Sequence, residues 1–467
     1  MNRSIGSMLV ATFVLRVSTA VTGGMLVFLV NDMTRGSGTG PRDIAILHGG
    51  FYATELTGAI AFGVLADRYG RKLIMLLGPI FGGIAVFMTG LTTHLPVLFV
   101  TRLLEGSSTA ASIPSTLGFI AAETAHDEKL RGRVVSLFEL VSLGGMLAVG
   151  PALSGLLWDA FGRPAFFLNC GFYLCALALY AYGVSEVPRQ QAGDLEATRS
   201  GGAGLELARY WRMATNRSVL LFAPTWLAIN AILGLWASQA PLLLNGNQHD
   251  SSQFLMQGVS ATAIGIGEAI FAVFFGCGLL FWGLVYARFR RTTLLLWGVV
   301  AFGVLAIDIV VINHFGGESF ALLCGLTAVG LVALFVLSGA TPAALGLLAD
   351  VSEGFEQDRS AIMGLYSVFL GLGQVIGALV GGLAATWRGI DGLAVATGVL
   401  LAIGISALLR LRAHEALFKA AARLGGTDGA GGTDGAGGAS PSASLDTLAI
   451  VAGGGSGQPV VPTKEER

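Results

Sequence analysis

Charge is what this sequence has least of. Only 12% of its 467 residues are Asp, Glu, Lys or Arg, about half the share typical of a soluble domain. Too little polar surface remains to clothe a water-soluble body. The formal net charge of −1 excludes a nucleic-acid footprint, which is built from clustered Lys and Arg. Cysteine is scarce too. Cys170, Cys175, Cys277 and Cys324 all fall inside apolar runs, with neither zinc spacing nor a disulfide framework. The six histidines sit in loops or near the ends of apolar runs. That leaves no basis for a metal cluster or a histidine proton relay, and no cofactor is expected. Nowhere do apolar and polar residues alternate over about ten positions, so a transmembrane β-barrel is excluded.

Apolar residues are abundant. The AVILMFWYC set makes up 54% of the chain and glycine contributes 68 residues more, with a mean hydropathy of +0.72. A helix that crosses a bilayer needs about 20 mainly apolar residues. Such runs fall near 8–30, 45–66, 73–91, 95–122, 134–157 and 164–185, then near 218–244, 259–286, 293–313, 318–348, 361–385 and 390–411. The first, Met8–Val30, exceeds the core of a signal peptide and ends in no clear small-residue cleavage site, so it is expected to be a retained helix. The expected fold is all-α and integral to the membrane, with twelve transmembrane helices.

Basic residues fall unevenly between these spans. One set of loops holds Arg68, Arg71 and Lys72; Lys129, Arg131 and Arg133; Arg189, Arg199, Arg209, Arg212 and Arg217; Arg288, Arg290 and Arg291; and Arg359. The alternate loops hold Arg35, Arg42, Arg163 and Arg388. The positive-inside rule places the richer set and both termini in the cytoplasm.

The spans split six and six around a polar stretch, and the halves repeat. Gly63–Lys72 joins spans two and three, and Gly283–Thr292 sits at the matching joint of spans eight and nine. Pro114-Ser-Thr-Leu-Gly118 recurs as Pro342-Ala-Ala-Leu-Gly346, and Arg131 matches Arg359 at the same offset. Parallel repeats of this kind build one class of secondary transporter. The expected organisation is an N-terminal six-helix bundle over 1–185, a cytoplasmic linker over 186–217, a C-terminal six-helix bundle over 218–412 and a disordered, Gly-rich cytoplasmic tail over 413–467. The tail contains Gly-Gly-Thr-Asp-Gly-Ala twice in tandem from Gly425. The repeat is too short for a calcium-binding β-roll.

Gly63-x-Leu65-Ala66-Asp67-Arg68-x-Gly70-Arg71-Lys72 resembles the signature between helices two and three of the major facilitator superfamily, and the resemblance covers about residues 5–412. It implies two pseudo-symmetric six-helix bundles and a conformational latch formed by Gly63, Asp67, Arg68, Gly70, Arg71 and Lys72. The second copy has Ala287, Arg290 and Thr292 where the signature has Asp, Gly and Lys, so any latch there is weaker. Arg102-Leu-Leu-Glu105-Gly106 is similar to the family's Arg-x-x-x-Gly pattern in helix four. Gly150-Pro151-Ala-Leu-Ser154-Gly155 resembles the Gly-Pro element of many drug–proton exchangers, with Ser154 and Met146 at positions where glycine is often found. Gly150, Pro151 and Gly155 also read simply as a kink and a packing face.

Ionisable side chains inside spans cost at least about 2.5–3.5 kcal/mol at the helix centre, which makes each a functional candidate. They are Arg16, Glu55, Arg102, Glu105, Glu139, Glu268 and Asp308. Span four places Arg102, Glu105, Ser108, Thr109, Ser112, Ser115 and Thr116 along one face. Spans one and seven carry shorter polar stripes, through Arg16 and through Trp226 and Asn230. In the family the helices equivalent to one, four, seven and ten line the central cavity. The resemblance therefore implies a substrate cavity lined by Arg16, Arg102, Glu105, Ser112, Trp226 and Asn230. Glu105, Glu55 and Glu268 are the candidates for proton coupling, whereas Glu139 and Asp308 lie nearer span ends, as packing or latch groups.

The expected activity is secondary transport of a small molecule across the cell membrane, as a monomer in the bilayer, with proton-coupled efflux as the principal reading. An importer or uniporter of a sugar, organic anion or lipid-like solute is the alternative, and a non-transporting membrane sensor or scaffold is a reading of another class. No nucleophile arrangement or metal motif supports an enzyme.

Overall fold

A computed structural model describes residues 3–37, 40–124, 127–185, 217–246, 252–285, 288–352 and 359–425. The expected linker over 186–217, all but its last residue, and the tail beyond residue 425 lie outside the described residues. Met1–His414 form one compact unit and Glu415–Arg467 a second.

All long elements are helices. They are α1 (Arg3–Ser37), α2 (Pro41–Tyr69), α3 (Arg71–Leu91), α4 (Leu95–Glu123), α5 (Glu128–Leu143), α6 (Gly150–Phe161), α7 (Ala165–Gly183), α8 (Arg217–Asn245), α9 (Ala261–Val285), α10 (Arg291–Phe315), α11 (Phe320–Leu337), α12 (Ala340–Ser352) and α13 (Arg359–Gly425). Among the described residues, nine helical segments are long and apolar enough to cross a membrane. One of them, Ser367–Ala413, is two helices, because Arg388 and Gly389 leave helical geometry inside α13. Helices α2 and α4, which carry more charged and hydroxyl side chains, are 29 residues each, or about 43 Å at 1.5 Å per residue. With α2, α4 and both parts of the broken helix counted, the described residues hold twelve helical segments long enough to cross, the number the apolar runs predict.

Local chemistry sets the breaks. Gly70 takes φ 109° between α2 and α3, and Gly389 takes φ 58° at the break in α13, a region where glycine carries no Cβ penalty. Span five holds a feature the sequence did not announce. A π-helical turn, Gly144–Val149, joins α5 to α6, with Gly150 N–H donating to the Gly145 carbonyl. Pro151 supplies no N–H immediately afterwards, so the ladder is already interrupted there.

Among the described residues, the two largest of five buried apolar clusters belong mainly one to each half. The first gathers Met8, Val21, Met25, Val86, Phe119, Tyr173 and Tyr180 from α1, α3, α4 and α7. The second gathers Phe222, Trp226, Leu295, Phe302, Leu348 and Leu408 from α8, α10, α12 and α13. Many hydroxyls inside the helices return to their own backbone: Thr12 donates to Met8 O, Thr22 to Ser18 O and Ser112 to Ser108 O. That satisfies polar groups where no water can.

The halves meet closely at the end where α1 finishes and α9 begins. A Cβ at Gly155 of α6 would lie 2.6 Å from the Ala261 carbonyl carbon and 2.9 Å from Thr262 Cα. Gly265 of α9 approaches the Pro151 backbone just as tightly. The arrangement recurs at Gly382 of α13, where a Cβ would lie 3.0 Å from Pro41 O and overlap Ala45. Between these seams Asn31 Nδ2 donates to Asn245 Oδ1 at 2.7 Å and to Asn245 O at 3.1 Å, and Gln239 Nε2 donates to Pro41 O at 3.3 Å. Packing of α9 on span five follows α6 and the π-helical turn. Toward the opposite end, Leu140 of α5 and Leu280 and Leu284 of α9 are exposed.

Candidate functional site

The best-defined charged site begins one helical turn apart on α4. Arg102 and Glu105 form an ion pair and are 3% and 1% exposed. Arg102 Cζ lies 4.5 Å from the centre of the Phe51 ring on α2, a position that favours a cation. Tyr173 of α7 donates its hydroxyl to Glu105 Oε1 at 3.3 Å and lies 3.4 Å from Thr19 Oγ1 of α1. Asn169, one turn earlier on α7, donates to Thr22 Oγ1 and Ser18 O. Thus one charged pair is held by polar groups from α7 and α1 and by an aromatic ring from α2. Gly106 is required beside it: a Cβ there would lie 2.5 Å from Phe51 O and 3.0 Å from Thr54 Cβ. The Arg-x-x-x-Gly spacing therefore lets α2 press against α4 while Arg102 reaches back over Phe51.

A second pair is looser and more open. Arg16 Nη1 of α1 lies 4.0 Å from Glu55 Oε1 of α2, with the two side chains 13% and 28% exposed. Arg16 Nε and Nη1 are buried and make no hydrogen bond. The backbone of Gly145 in the π-helical turn sits against Arg16, where a Cβ would lie 3.1 Å from Arg16 Cβ. Arg102 is within electrostatic reach of Glu55 and Arg16 within reach of Glu139. Arg16, Glu55, Arg102 and Glu105 thus form one constellation of alternating charge across α1, α2 and α4.

Glu268 stands apart. It is half-buried on α9, three residues beyond Gly265, and has no hydrogen-bond or ion-pair partner among the described residues. Asp308 is buried beside Gly330 of α11.

Three further residues expected in the cavity lining are buried against neighbouring groups. Ser112 is buried against Gly78 of α3. Trp226 stacks on Phe222 at 6.2 Å in the second core. Asn230 donates to Trp226 O and meets the backbone of Gly373, where a Cβ would lie 2.6 Å from Asn230 Cβ. Their small or turned-back polar groups let neighbouring backbones approach, which a single-helix stripe cannot distinguish from cavity lining.

The helix two–three motif makes a tight turn at Gly70, with Arg71 Nε lying over Gly118 of α4, where a Cβ would be 3.1 Å away. Gly63 faces Pro114 of α4. Arg68 lies in the last turn of α2 and Lys72 in the first of α3. The side chain of Asp67 lies outside the described residues, as does that of Arg359. His48, expected near a span end, is two turns inside α2 and buried. Among the described residues no group of three or more His, Cys, Asp or Glu could hold a metal.

Sequence inspection passed over Tyr173 and Tyr180, whose spacing of seven in α7 matches that of Thr12 and Thr19 in α1. Thr12 and Tyr180 lie 3.0 Å apart and Thr19 and Tyr173 3.4 Å. Two antiparallel helices with matched seven-residue polar spacing were the available signal.

The Major Facilitator Superfamily model matches residues 8–258 and again 251–433. The chain belongs to the Major Facilitator Superfamily. It is therefore a multi-pass membrane transporter. Quinolone resistance protein NorA of Staphylococcus aureus (strain MRSA252) is 23% identical over 385 residues, 81% of this chain and 89% of that protein. Multidrug resistance protein 1 of Bacillus subtilis (strain 168) is 30% identical over 139 residues, 30% of this chain. That alignment spans only about a third, 35%, of the Bacillus protein. The nucleoside transporter NupG shares the superfamily fold, with a TM-score of 0.67 and 13% identity over 88% of this chain and 99% of that one.

Proposed function

We propose that this superfamily member exports a small, partly apolar molecule in exchange for protons, by alternating access between its two halves. The halves are the bundles ending near residue 185 and beginning near residue 218, and the basic loops place their Tyr69–Arg71 side in the cytoplasm. One observation supports the reading: among the described residues the hydrogen bonds and closest backbone approaches between halves gather at one end, while the charged constellation lies between α1, α2 and α4. A carrier needs such a seal, alternately made and broken around a central site. The multidrug and quinolone resistance relatives support efflux. Arg16, with two buried N–H donors unused, favours a second reading in which the substrate bears a carboxylate or phosphate.

Proton coupling is assigned to the carboxylates paired with arginine, Glu105 and Glu55. Each pair changes its charge balance when the carboxylate takes a proton, and that alters which arrangement of helices is stable. Purified protein in liposomes, given a quinolone or a panel of metabolites, is expected to move substrate when a pH gradient is imposed. Flux should reverse when the gradient is reversed. Equilibration indifferent to the gradient would remove proton coupling from the reading. In the same assay Glu268→Gln is expected to retain pH-driven flux and Glu55→Gln to lose most of it. The opposite pattern would move the coupling role to Glu268.

The helix two–three motif is assigned to latching the cytoplasmic side. Asp67→Asn is expected to slow turnover several-fold with substrate affinity nearly unchanged, because a latch alters populations rather than substrate contacts. Initial rates alongside equilibrium binding check this, and weakened binding at normal turnover would contradict it.

A further inference from the structure

The two glycine seams are alike in backbone approach but differ in their polar chemistry. A helix leaves its first N–H groups without intrahelical acceptors, and some other group must satisfy them. At the start of α2, Pro41 has no N–H to satisfy, and Asp43 Oδ2 of the same helix accepts from Gly40 N at 2.8 Å. Asp43 N and Ile44 N donate to Gly40 O, and among the described residues no side chain of the other half accepts from this helix start. At the start of α9, Ser260 Oγ accepts from Ala263 N at 3.2 Å, and Ser260 O accepts from Ile264 N at 3.1 Å. Thr262 N–H is provided for by neither. It donates instead to Asp159 Oδ2 at 2.7 Å, a carboxylate at the far end of α6 in the other half. Thr262 Oγ1 adds a longer bond to Gly155 O, at 3.4 Å. Arg163, four residues beyond Asp159, donates its Nε to Gly90 O at 2.8 Å within its own half.

We infer that Asp159 is the polar lock of this seal: it caps α9 from the opposite half, so parting the halves here strips a helix N-terminus of its acceptor. The carboxylate also places negative charge at the positive end of the α9 dipole. The lock is made only in the state sealed at this end, and it therefore biases the transport cycle toward that state. The bias acts on the seam between α6 and α9 alone. The companion seam at Gly382 closes by backbone approach, with Gln239 on Pro41 O as its polar contact.

The inference rests on the alternating-access reading, and one experiment separates the two. In the full chain, with Cys170, Cys175, Cys277 and Cys324 replaced by serine, Phe161→Cys and Phe320→Cys place spin labels on exposed positions at this end, one in each half. Distances are measured in lipid at two pH values, with and without a quinolone. The parent protein should populate a short and a long distance in proportions that respond to these conditions. Asp159→Ala should shift the population about three- to tenfold toward the long distance, the range expected for a lost helix cap. Asp159→Glu, which keeps the acceptor, should restore most of the short one. If the parent protein switches but Asp159→Ala matches it, the lock is wrong and alternating access stands. A single distance that never responds in the parent protein would overturn the transport reading itself.

Discussion

Glu105→Gln is expected to abolish pH-driven transport and to destabilise the protein by about 3–5 kcal/mol, the cost of leaving a buried charge without its partner. Both effects come from one place. Glu105 is 1% exposed and neutralises an arginine that is 3% exposed, in a region where water cannot substitute. The two effects separate in a double variant. Arg102→Met with Glu105→Met removes both charges and leaves Phe51 an apolar neighbour, so stability should return toward the parent value while coupling stays lost. Thermal unfolding in detergent reads the first quantity and liposome flux at an imposed pH gradient the second. Undiminished pH-driven flux in Glu105→Gln would transfer the coupling role to Glu55 or Glu268. A stable Glu105→Gln single variant would show that Arg102 finds another counter-charge, with Glu55 the group within reach.

Gly155→Val should nearly eliminate transport while leaving each bundle folded. The obstruction is backbone, not a side chain that can swing away: a Cβ at Gly155 overlaps the Ala261 carbonyl and comes within 2.9 Å of Thr262 Cα. The seal cannot form around a valine, so the population shifts to the state open at this end. Gly382→Val should act alike through Pro41 and Ala45. Gly132→Val is the control, since nothing lies within 4 Å of a Cβ there. Flux together with the accessibility of introduced cysteines at Asn31 and Asn245 checks the pair. Normal turnover in Gly155→Val would mean that closure at this seam is not part of the cycle.

Much of the architecture was legible from residue order because a bilayer leaves few choices. Backbone N–H and C=O groups must be satisfied within each span, so long apolar runs can only be helices. The break between spans eleven and twelve fell where Arg388 and Gly389 interrupt the pattern, and Gly70 marked the turn in the helix two–three motif for the reason its φ confirms. Arg102 and Glu105 were likewise legible as a pair from three-residue spacing. Ser112, Trp226 and Asn230 were not. Their helices' periodicity states that they share a face, but whether that face meets water or a neighbouring glycine depends on helices distant in sequence. Gly78 stands against Ser112 and Gly373 against Asn230.

Composition and span length determined that this chain is a twelve-helix membrane protein, because the energy of burying polar groups in lipid is local to each segment, and the recurring motifs marked its repeated half. Only the tertiary structure decided that Glu105 is held by Tyr173, that Arg16 stands 4.0 Å from Glu55 and that Asp159 caps a helix more than a hundred residues away. Those pairings arise from the register of one helix against another. That register is fixed by glycines at the points of closest approach, and no periodicity within a single helix encodes it.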